Sequence, residues 1–174
     1  MSLKKIITVP DETLRKNSEP IEKVGDNEKK LIKDLFETMY HNNGIGLAAI
    51  QVGIPKRIIV LDVSQKDKKK NPLCFINPII KNKSIEKSIY EEGCLSLPET
   101  FIEIERPKVC LVEYINIDGK KKELVCDDLL STCIQHEINH LDGRLIIDFL
   151  SKLKRDVIIK KLSKNKQNPD RVVV

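Results

Sequence analysis

The sequence predicts an α+β fold, in which antiparallel sheets pack around a central helix, with one further helix near the N-terminus and another near the C-terminus. Two observations support this prediction. Segments with helical periodicity lie at residues 27–40, 127–142 and 151–164, and segments with strand patterns are grouped between the first two of these helices. Strands grouped in this way favour antiparallel hairpins over alternating βαβ units.

The first helix is predicted from an apolar stripe. Asp26 or Asn27 could cap its start, and His41 at its end is expected to be exposed. Residues 44–51 follow, with two glycines and two alanines beside Gln51, and small residues of this kind let a ligand or another backbone come close. A tight turn is an equally good interpretation. The stripe consists of Leu31, Ile32, Leu35, Phe36, Met39 and Tyr40.

Several segments have the composition or alternation of strands. The second of them should end in a turn at Asn77–Pro78, and the last two flank Asp118–Gly119, a dipeptide typical of hairpins. Residues 64–71 form a polar loop between the first two. The segments are residues 58–61, 73–76, 102–105, 108–117 and 122–126.

The central helix carries the pentapeptide His136-Glu137-Ile138-Asn139-His140, which contains two of the three histidines in the chain. A spacing of four residues stacks both imidazoles on one helix face, with Glu137 projecting beside them. This pattern indicates a metal site with an acid/base group next to it. Two exposed histidines and a solvated glutamate are the structural alternative.

The ends and faces of this helix can also be predicted. Asp127 and Asp128 could cap its start, and Gly143 suits a left-handed stop after it. One apolar stripe should be buried, so the histidines should share an adjacent, partly apolar face. That adjacent face carries Leu129, Thr132, Cys133, His136 and His140.

The C-terminal helix is predicted over residues 151–164. Leu153, Val157, Ile158 and Leu162 would dock on the protein, with lysines on the opposite side. Residues 165–174 are expected to form a tail. Residues 1–164 would then form a single catalytic domain, consistent with 174 residues of which 40% are apolar.

A third ligand is needed, because a catalytic divalent metal usually has three protein ligands and one open position. No Glu or His follows His140, whereas zinc endopeptidases built on the same pentapeptide use one downstream. Upstream, Cys94 follows the flexible Gly93, so this bend could present a thiolate and aim the next backbone N–H at a substrate oxygen. A buried cysteine in a strand bend is equally consistent with the local sequence.

Three blocks together resemble the signature motifs of peptide deformylases: GIGLAAIQ at 44–51, EGCLSLP at 92–98 and QHEINHLDG at 135–143. They occur in the family's order, and the resemblance extends over residues 5–160. It implies a bacterial-type, metal-dependent hydrolase that removes the N-formyl group from the N-terminal formylmethionine of newly synthesised proteins and releases formate.

The resemblance also implies residue roles. Cys94, His136 and His140 would be the metal ligands, and Glu137 the general acid/base. Gln51 and the backbone N–H of Leu95 would stabilise the oxyanion. The residues that bind the substrate or support the site would be Ile45, Gly46, Tyr90, Glu92, Leu129, Thr132 and Cys133.

Two positions depart from the family pattern. Asn139 stands where relatives often have Asp, and because this position points away from the metal, only an outer contact should change. Phe101 stands near the place where some relatives have an Arg beside the substrate backbone. This second departure affects the selectivity for substrate residues after the first one.

The cofactor and the partners follow from the same resemblance, and the location follows from the composition. One divalent metal ion is expected, with Fe(II) favoured and Zn(II), Ni(II) or Co(II) as alternatives. The substrates would be N-formylmethionyl nascent peptides, and the basic C-terminal helix could dock on the ribosome. The five cysteines form no dense framework and no apolar run is long enough for a membrane span, so a cytoplasmic protein without membrane contact is expected.

Two other functions fit parts of the sequence. A zincin-type endopeptidase shares the pentapeptide but would require the missing downstream ligand. A basic RNA-binding protein with a structural zinc is suggested by the net charge of +5, and Cys110 or Cys126 would then supply a fourth ligand. The lysine runs at residues 66–70 and 152–166 are more typical of solvated faces.

Overall fold

The computed structural model describes residues 2–64 and 69–166. Its helices are α1 (Asp26–His41), α2 (Asp128–Leu141) and α3 (Lys152–Lys166). Its strands are β1 (Gly46–Ala48), β2 (Ile58–Leu61), β3 (Leu73–Lys83), β4 (Lys87–Cys94), β5 (Leu97–Pro107), β6 (Val109–Ile115) and β7 (Lys121–Asp127). Short 3-10 turns cover Glu12–Arg15, Ala49–Val52 and Ile146–Phe149.

All strand pairs are antiparallel, as the sequence predicts. Five strands form one sheet in the order β1-β2-β3-β6-β7, and β4 and β5 form a separate hairpin. Helix α1 packs on one face of the five-stranded sheet, whereas α2 packs on the other face and also contacts β5. The α+β prediction is therefore confirmed, and α2 lies at the centre between the two sheets.

Helix α1 has the predicted apolar face, but its start differs from the prediction. The N-cap is Gly25, whose backbone N–H donates to Glu28 Oε2 at 3.0 Å, so neither Asp26 nor Asn27 caps the helix. Glu28 is the third residue of the helix, and its side chain accepts the hydrogen bond of the Gly25 N–H as in a capping box. The start of α1 therefore needs no acidic N-cap residue. His41 is exposed, as predicted.

The predicted turn at Asn77–Pro78 is wrong, because β3 continues through it to Lys83. The pairing with β6 shifts between Ile76 and Ile79, which marks a bulge. Asn77 has a φ of 50° and its side-chain amide bonds both backbone groups of Ile21 at 2.8 Å. A bulge accommodates the missing N–H of Pro78 without ending the strand.

The two hairpins contrast in how well the sequence predicts them. Gly119 has a φ of 77° between β6 and β7, so the hairpin at Asp118–Gly119 is confirmed. Ile102 and Ile104 of β5 are buried, as their alternation predicts. Strand β4 was not predicted, and the expected bend at Cys94 is the end of this strand.

Helix α2 ends as predicted but starts differently. Gly143 has a φ of 68°, and its missing side chain lets the carbonyl of Arg15 lie against it. Asp127 occupies the N-cap position, yet its side chain makes no capping hydrogen bond within the described residues. The capping prediction is wrong because β7 runs directly into α2, and the Asp128 N–H instead donates to the Lys108 carbonyl at 3.0 Å.

Helix α3 docks only in part. Leu162 is buried and Ile158 is partly buried against β5 and the 3-10 turn before the helix. Leu153 and Val157 are 77% and 61% exposed, so their predicted burial is wrong. The early turns of α3 border an open groove at these two positions.

Parts of two sequence predictions lie outside the described residues. Helix α3 continues to Lys166, and the rest of the predicted tail, residues 167–174, lies outside the described part of the chain. The same is true of residues 65–68 in the predicted polar loop. No helix in the described ranges combines the length and the apolar character that a bilayer span requires.

Asp34 anchors the N-terminal segment to α1. The Ser2 backbone N–H donates to Asp34 Oδ1 at 3.1 Å, and Lys30 Nζ lies 3.0 Å from Oδ2. The hydrogen bond from Lys30 is the main reason that the pKa of Asp34 falls to about 2, although burial opposes this shift. The ionised carboxylate is thus favoured in the folded state.

We expect Asp34→Asn to lower the free energy of unfolding at pH 7. A carboxylate with a lowered folded-state pKa stabilises the fold above its unfolded-state pKa, and this contribution disappears as the pH falls through the folded-state value. The difference from wild type should therefore shrink between pH 4 and pH 2. Urea titrations across this range measure it, with Glu37→Gln on the same helix as control. A deficit that does not change with pH would contradict the assignment.

Candidate active site

Three candidate metal ligands meet between α2 and the end of β4. The donor atoms of Cys94, His136 and His140 all lie within 4.8 Å of one another, and Cys94 Sγ is 3.2 Å from His140 Nε2. Ligands of a tetrahedral ion with metal–ligand bonds of 2.0–2.3 Å are separated by about 3.5 Å. One thiol and two imidazoles at these distances fit one divalent ion.

Local structure explains why these residues meet. The four-residue spacing on α2 places the two histidine rings 5.0 Å apart. The pairing of β4 with β5 shifts between Gly93 and Cys94, which redirects the cysteine toward α2. A Cβ atom at Gly93 would lie 2.8 Å from the Phe101 ring, so glycine leaves room for this ring at the bulge.

The orientation of His136 is fixed by a chain of buried polar groups. His136 Nδ1 lies 2.8 Å from Glu92 Oε2, so its Nε2 is the nitrogen that remains for a metal. The Arg106 guanidinium donates to both oxygens of Glu92, at 2.5 and 3.0 Å. Arg106 also donates from Nη1 to Asn139 Oδ1 at 2.9 Å. Asn139 therefore contacts Arg106 and acts on the histidine only indirectly.

The two histidines differ in their electrostatic surroundings. Burial lowers the pKa of His140 well below its usual range, so this imidazole is neutral and has a lone pair for a metal. Burial also lowers the pKa of His136, but the contacts with Cys94 and Glu92 outweigh burial and raise it to about 10. These two acidic groups stabilise positive charge at the point where the three ligands meet.

Glu137 lies beside the ligand set in a buried position. Burial raises its pKa to about 7, and its Oε2 has no hydrogen-bond partner among the described residues. A Cβ atom at Gly46 would lie 2.5 Å from Glu137 Oε1, so any larger residue there would displace the carboxylate. A carboxyl group that titrates near neutrality can both accept and return a proton.

Gln51 is held with its amide nitrogen toward Cys94. The Ala48 backbone N–H donates to Gln51 Oε1 at 2.8 Å, which fixes the orientation of the amide. Gln51 Nε2 then donates to Ser96 Oγ at 3.2 Å and lies 3.6 Å from Cys94 Sγ. Ser96 is fully buried, and no local sequence pattern predicts its role.

A cavity of about 670 Å³ opens in front of these residues. All predicted site residues except His140 line it, and His140 is 1% exposed. Cys133 belongs to the apolar part of the cavity wall, because burial raises the pKa of this thiol to about 12 and keeps it neutral. The lining residues from the predicted set are Ile45, Gly46, Gln51, Tyr90, Glu92, Cys94, Leu95, Leu129, Thr132, Cys133, His136 and Glu137.

Comparison with known proteins identifies the family. A family model described as polypeptide deformylase matches residues 3–156. The chain belongs to the peptide deformylase family. The peptide deformylase of Pelagibacter ubique (strain HTCC1062) is 58% identical to it over 174 residues, which is 100% of each chain. That of Bartonella henselae is 55% identical over 164 residues, covering 94% of this chain and 93% of the relative.

Solved structures of peptide deformylases share the fold. A crystal structure from Ehrlichia chaffeensis has a TM-score of 0.91 and 42% identity, covering 97% of this chain and 99% of the other. A second structure from the same organism, in complex with actinonin, has a TM-score of 0.90 and 43% identity, covering 99% and 100%. These values agree with the antiparallel α+β architecture described above.

Peptide deformylases are metal-dependent hydrolases, and as a member of the family this enzyme removes the formyl group from the N-terminal formylmethionine of nascent proteins. The endopeptidase and the RNA-binding alternatives are therefore set aside. The RNA-binding alternative required Cys110 or Cys126 as a fourth metal ligand. These two free cysteines lie opposite each other on β6 and β7 and do not belong to the three-ligand group.

Proposed function

We propose that Cys94, His136 and His140 bind one divalent metal ion and that Glu137 is the general acid and base of formyl-group hydrolysis. The observation that carries this proposal is the convergence of the three donor atoms within 4.8 Å beside a buried carboxyl group. A metal ion that displaces the proton of His136 would meet one thiolate and two neutral imidazoles, a donor set that suits Fe(II), Zn(II), Ni(II) or Co(II).

A metal ion held there would supply positive charge that makes water more acidic and polarises the formyl carbonyl. Glu137 takes a proton from the attacking water as its oxygen bonds to the formyl carbon. When the C–N bond breaks, Glu137 passes this proton to the departing methionine amine, and formate is the second product. The raised pKa of Glu137, about 7, suits a group that must do both near neutral pH.

The developing negative charge on the formyl oxygen needs hydrogen-bond donors. Gln51 Nε2 is already aimed toward Cys94 by the bond that Gln51 Oε1 accepts from Ala48. The backbone N–H of Leu95, the residue after Cys94, is the second proposed donor. Fixed donors of this kind need no reorganisation during the reaction.

Substrate recognition is proposed to combine an apolar pocket with main-chain pairing. The methionine side chain would lie against Ile45, Leu129 and Cys133, with Tyr90 and Thr132 completing the wall. The backbone near Gly46 would pair with the extended substrate, a mode that accepts varied sequences after the first residue. Glu92 would contribute to this wall indirectly, because its carboxylate contacts His136 and holds the ring in place.

The direct test is formate release from formyl-Met-Ala-Ser by freshly prepared enzyme. Fe(II) is the proposed resident metal because the family resemblance favours it, and exposure to oxidants should inactivate the enzyme through the iron or Cys94. Metal analysis after anaerobic purification, with activity measured for each reconstituted metal, distinguishes Fe(II) from the alternatives. Casein cleavage without formate release would contradict the proposed reaction.

We also propose that the enzyme is a cytoplasmic protein with one catalytic domain, residues 1–164, that docks on the ribosome through α3. Lysines on α3 could contact ribosomal RNA through its phosphates. Co-sedimentation with ribosomes tests this, comparing charge reversal at Lys160 and Lys161 with reversal at Lys121 and Lys122 of β7. Equal co-sedimentation of both variants would argue against docking through α3.

Glu92→Gln is expected to weaken metal binding by about 10- to 100-fold, because Glu92 orients the ligand His136. Glutamine also removes the negative charge that pairs with the buried Arg106 guanidinium. Competition with a chromophoric chelator measures the affinity. The matched control is Glu91→Gln, since Glu91 is the exposed neighbour on the opposite face of β4. An unchanged affinity in Glu92→Gln would show that His136 needs no such support.

A further inference from the structure

A second groove of about 710 Å³ lies beside the active-site cavity, between the β4–β5 hairpin and α3. One wall comes from the hairpin and the other from α3 and from Leu150, which precedes this helix. The lining residues are Glu91, Phe101, Ile102, Glu103, Leu150, Leu153, Lys154, Val157 and Ile158.

Three large apolar side chains face this groove while remaining exposed. Phe101 on the hairpin is 66% exposed, and on α3 Leu153 and Val157 are 77% and 61% exposed. The last two lie four residues apart and therefore share one helix face. Exposed apolar side chains gathered in one concave place are typical of a surface that binds a partner.

The groove is continuous with the active-site cavity. Glu91 and Phe101 line both, and Phe101 pairs with Gly93, the residue before Cys94. From Cys94 back to Glu91 the strand covers about 10 Å, at about 3.3 Å per residue. An extended peptide that starts at Cys94 would cross this distance in about three residues.

We propose that the groove between β5 and α3 binds apolar side chains of the nascent chain from about its fourth residue onward. This inference rests on the proposed substrate site, because it assumes that the formyl group lies at Cys94. The later residues of the same substrate would then leave the cavity over Phe101 and lie against Leu153 and Val157. The enzyme would thus hold long nascent chains more strongly than short ones.

The charges at the rim favour a peptide over a nucleic acid. Glu91 and Glu103 lie directly opposite each other on the hairpin wall, and Lys154 lies on the α3 wall. Two facing carboxylates repel phosphate groups. An extended peptide carries no backbone charge, so it can place apolar side chains between these walls.

A peptide series tests the proposal with wild-type holoenzyme. Formyl-Met-Ala-Ser is compared with two hexapeptides that continue with Leu-Leu-Leu or with Ser-Ser-Ser. We expect kcat/KM to be about fivefold higher for the leucine hexapeptide than for the serine hexapeptide, which corresponds to ~1 kcal/mol. Burial of a few tens of Å² of apolar surface accounts for a ratio of this size.

Two groove variants identify the place where the leucines bind. Leu153→Ser and Val157→Ser should each lower the leucine-to-serine ratio toward one, and because both side chains are exposed, the fold should be retained. Ile89→Ser is the matched control, since Ile89 is a 65% exposed apolar residue of β4 outside the groove. Its ratio should equal that of wild type.

The outcomes separate this inference from the proposed function. Formate release from all three peptides at equal kcat/KM would overturn the groove proposal and leave the reaction intact. No formate release from any peptide would contradict the proposed function itself. If the groove variants keep the wild-type ratio but lose ribosome co-sedimentation or self-association, the groove binds the ribosome or a second copy, and the proposal is wrong.

Discussion

Replacing Glu137 with glutamine is expected to lower kcat/KM for formyl-Met-Ala-Ser by about 10²- to 10⁴-fold, the usual contribution of a general acid–base group. Glutamine keeps the size of the side chain but cannot accept the proton of the attacking water. The substitution also removes a buried carboxyl group whose pKa is about 7, and with it the charge repulsion between Glu137 and Glu92. The free energy of unfolding should therefore not decrease. Activity and metal content are measured on the same preparation.

The metal content distinguishes a catalytic role from a ligand role for Glu137. We expect Glu137→Gln to bind one metal ion per chain, like wild type. Glu105→Gln is a suitable control, because Glu105 is an exposed residue of the β4–β5 hairpin that pairs with Lys87. If Glu137→Gln loses its metal, or retains more than about a tenth of the wild-type kcat/KM, the assignment of Glu137 as acid/base is wrong.

The part of the site on α2 could be predicted because helical periodicity is a local property. The spacing of His136, Glu137 and His140 fixes their relative directions once the helix forms. The apolar stripe of α1 was predictable for the same reason. Cys94 was different: its local sequence fitted a buried cysteine equally well, and only the three motifs together indicated its role.

Residues that reach the site through strand pairing could not be predicted. Arg106 lies near the end of β5, four residues after Ile102, the register partner of Glu92. The hairpin register therefore places the Arg106 side chain on the same strand pair as Glu92, where the two side chains meet. Ser96 contacts Gln51 across two separate segments of the chain. Neither contact leaves a pattern in the nearby sequence.

Strand β4 was missed because its inward face is polar. Ser88, Tyr90 and Glu92 lie on the side where a strand normally carries apolar residues, so no alternation marks it. Glu92 is nevertheless 6% exposed, and Arg106 and His136 compensate its buried charge. The sequence rule failed where the strand gives up apolar packing to orient a candidate ligand.

The exposure of Leu153 and Val157 shows that apolar content alone does not predict burial. At about 100° per residue of an α-helix, Leu162 lies about 180° around the helix from Leu153 and about 140° from Val157. The apolar residues of this segment therefore do not form one stripe. Leu162 packs in the core, whereas Leu153 and Val157 lie on another side of α3 and border the groove.

Asn139 changes the balance of charge behind the site. It accepts a hydrogen bond from Arg106 without adding a negative charge, so the Arg106 guanidinium is paired with Glu92 alone. With an aspartate at this position, two carboxylates would share the Arg106 guanidinium. The neutral amide thus keeps the bidentate Arg106–Glu92 pair intact, and this pair holds the His136 ring.

Cys94→Ala is expected to weaken metal binding by more than about 100-fold, because loss of an outer contact alone costs 10- to 100-fold and Cys94 is a proposed direct ligand. The thiolate also supplies the one negative charge of the donor set. Metal content after gel filtration and affinity from chelator competition measure this loss. Cys74→Ala on β3 is the matched control, since Cys74 is a free, partly buried thiol in another part of the fold.

Activity should fall with the metal in Cys94→Ala, and added metal should not restore it at concentrations that saturate wild type. This pattern differs from that of Glu137→Gln, in which the metal remains and turnover is lost. The structure predicts the difference, because Cys94 Sγ lies 3.2 Å from His140 Nε2 inside the donor group. Full metal occupancy in Cys94→Ala would remove this cysteine from the ligand set and leave the two histidines in need of another partner.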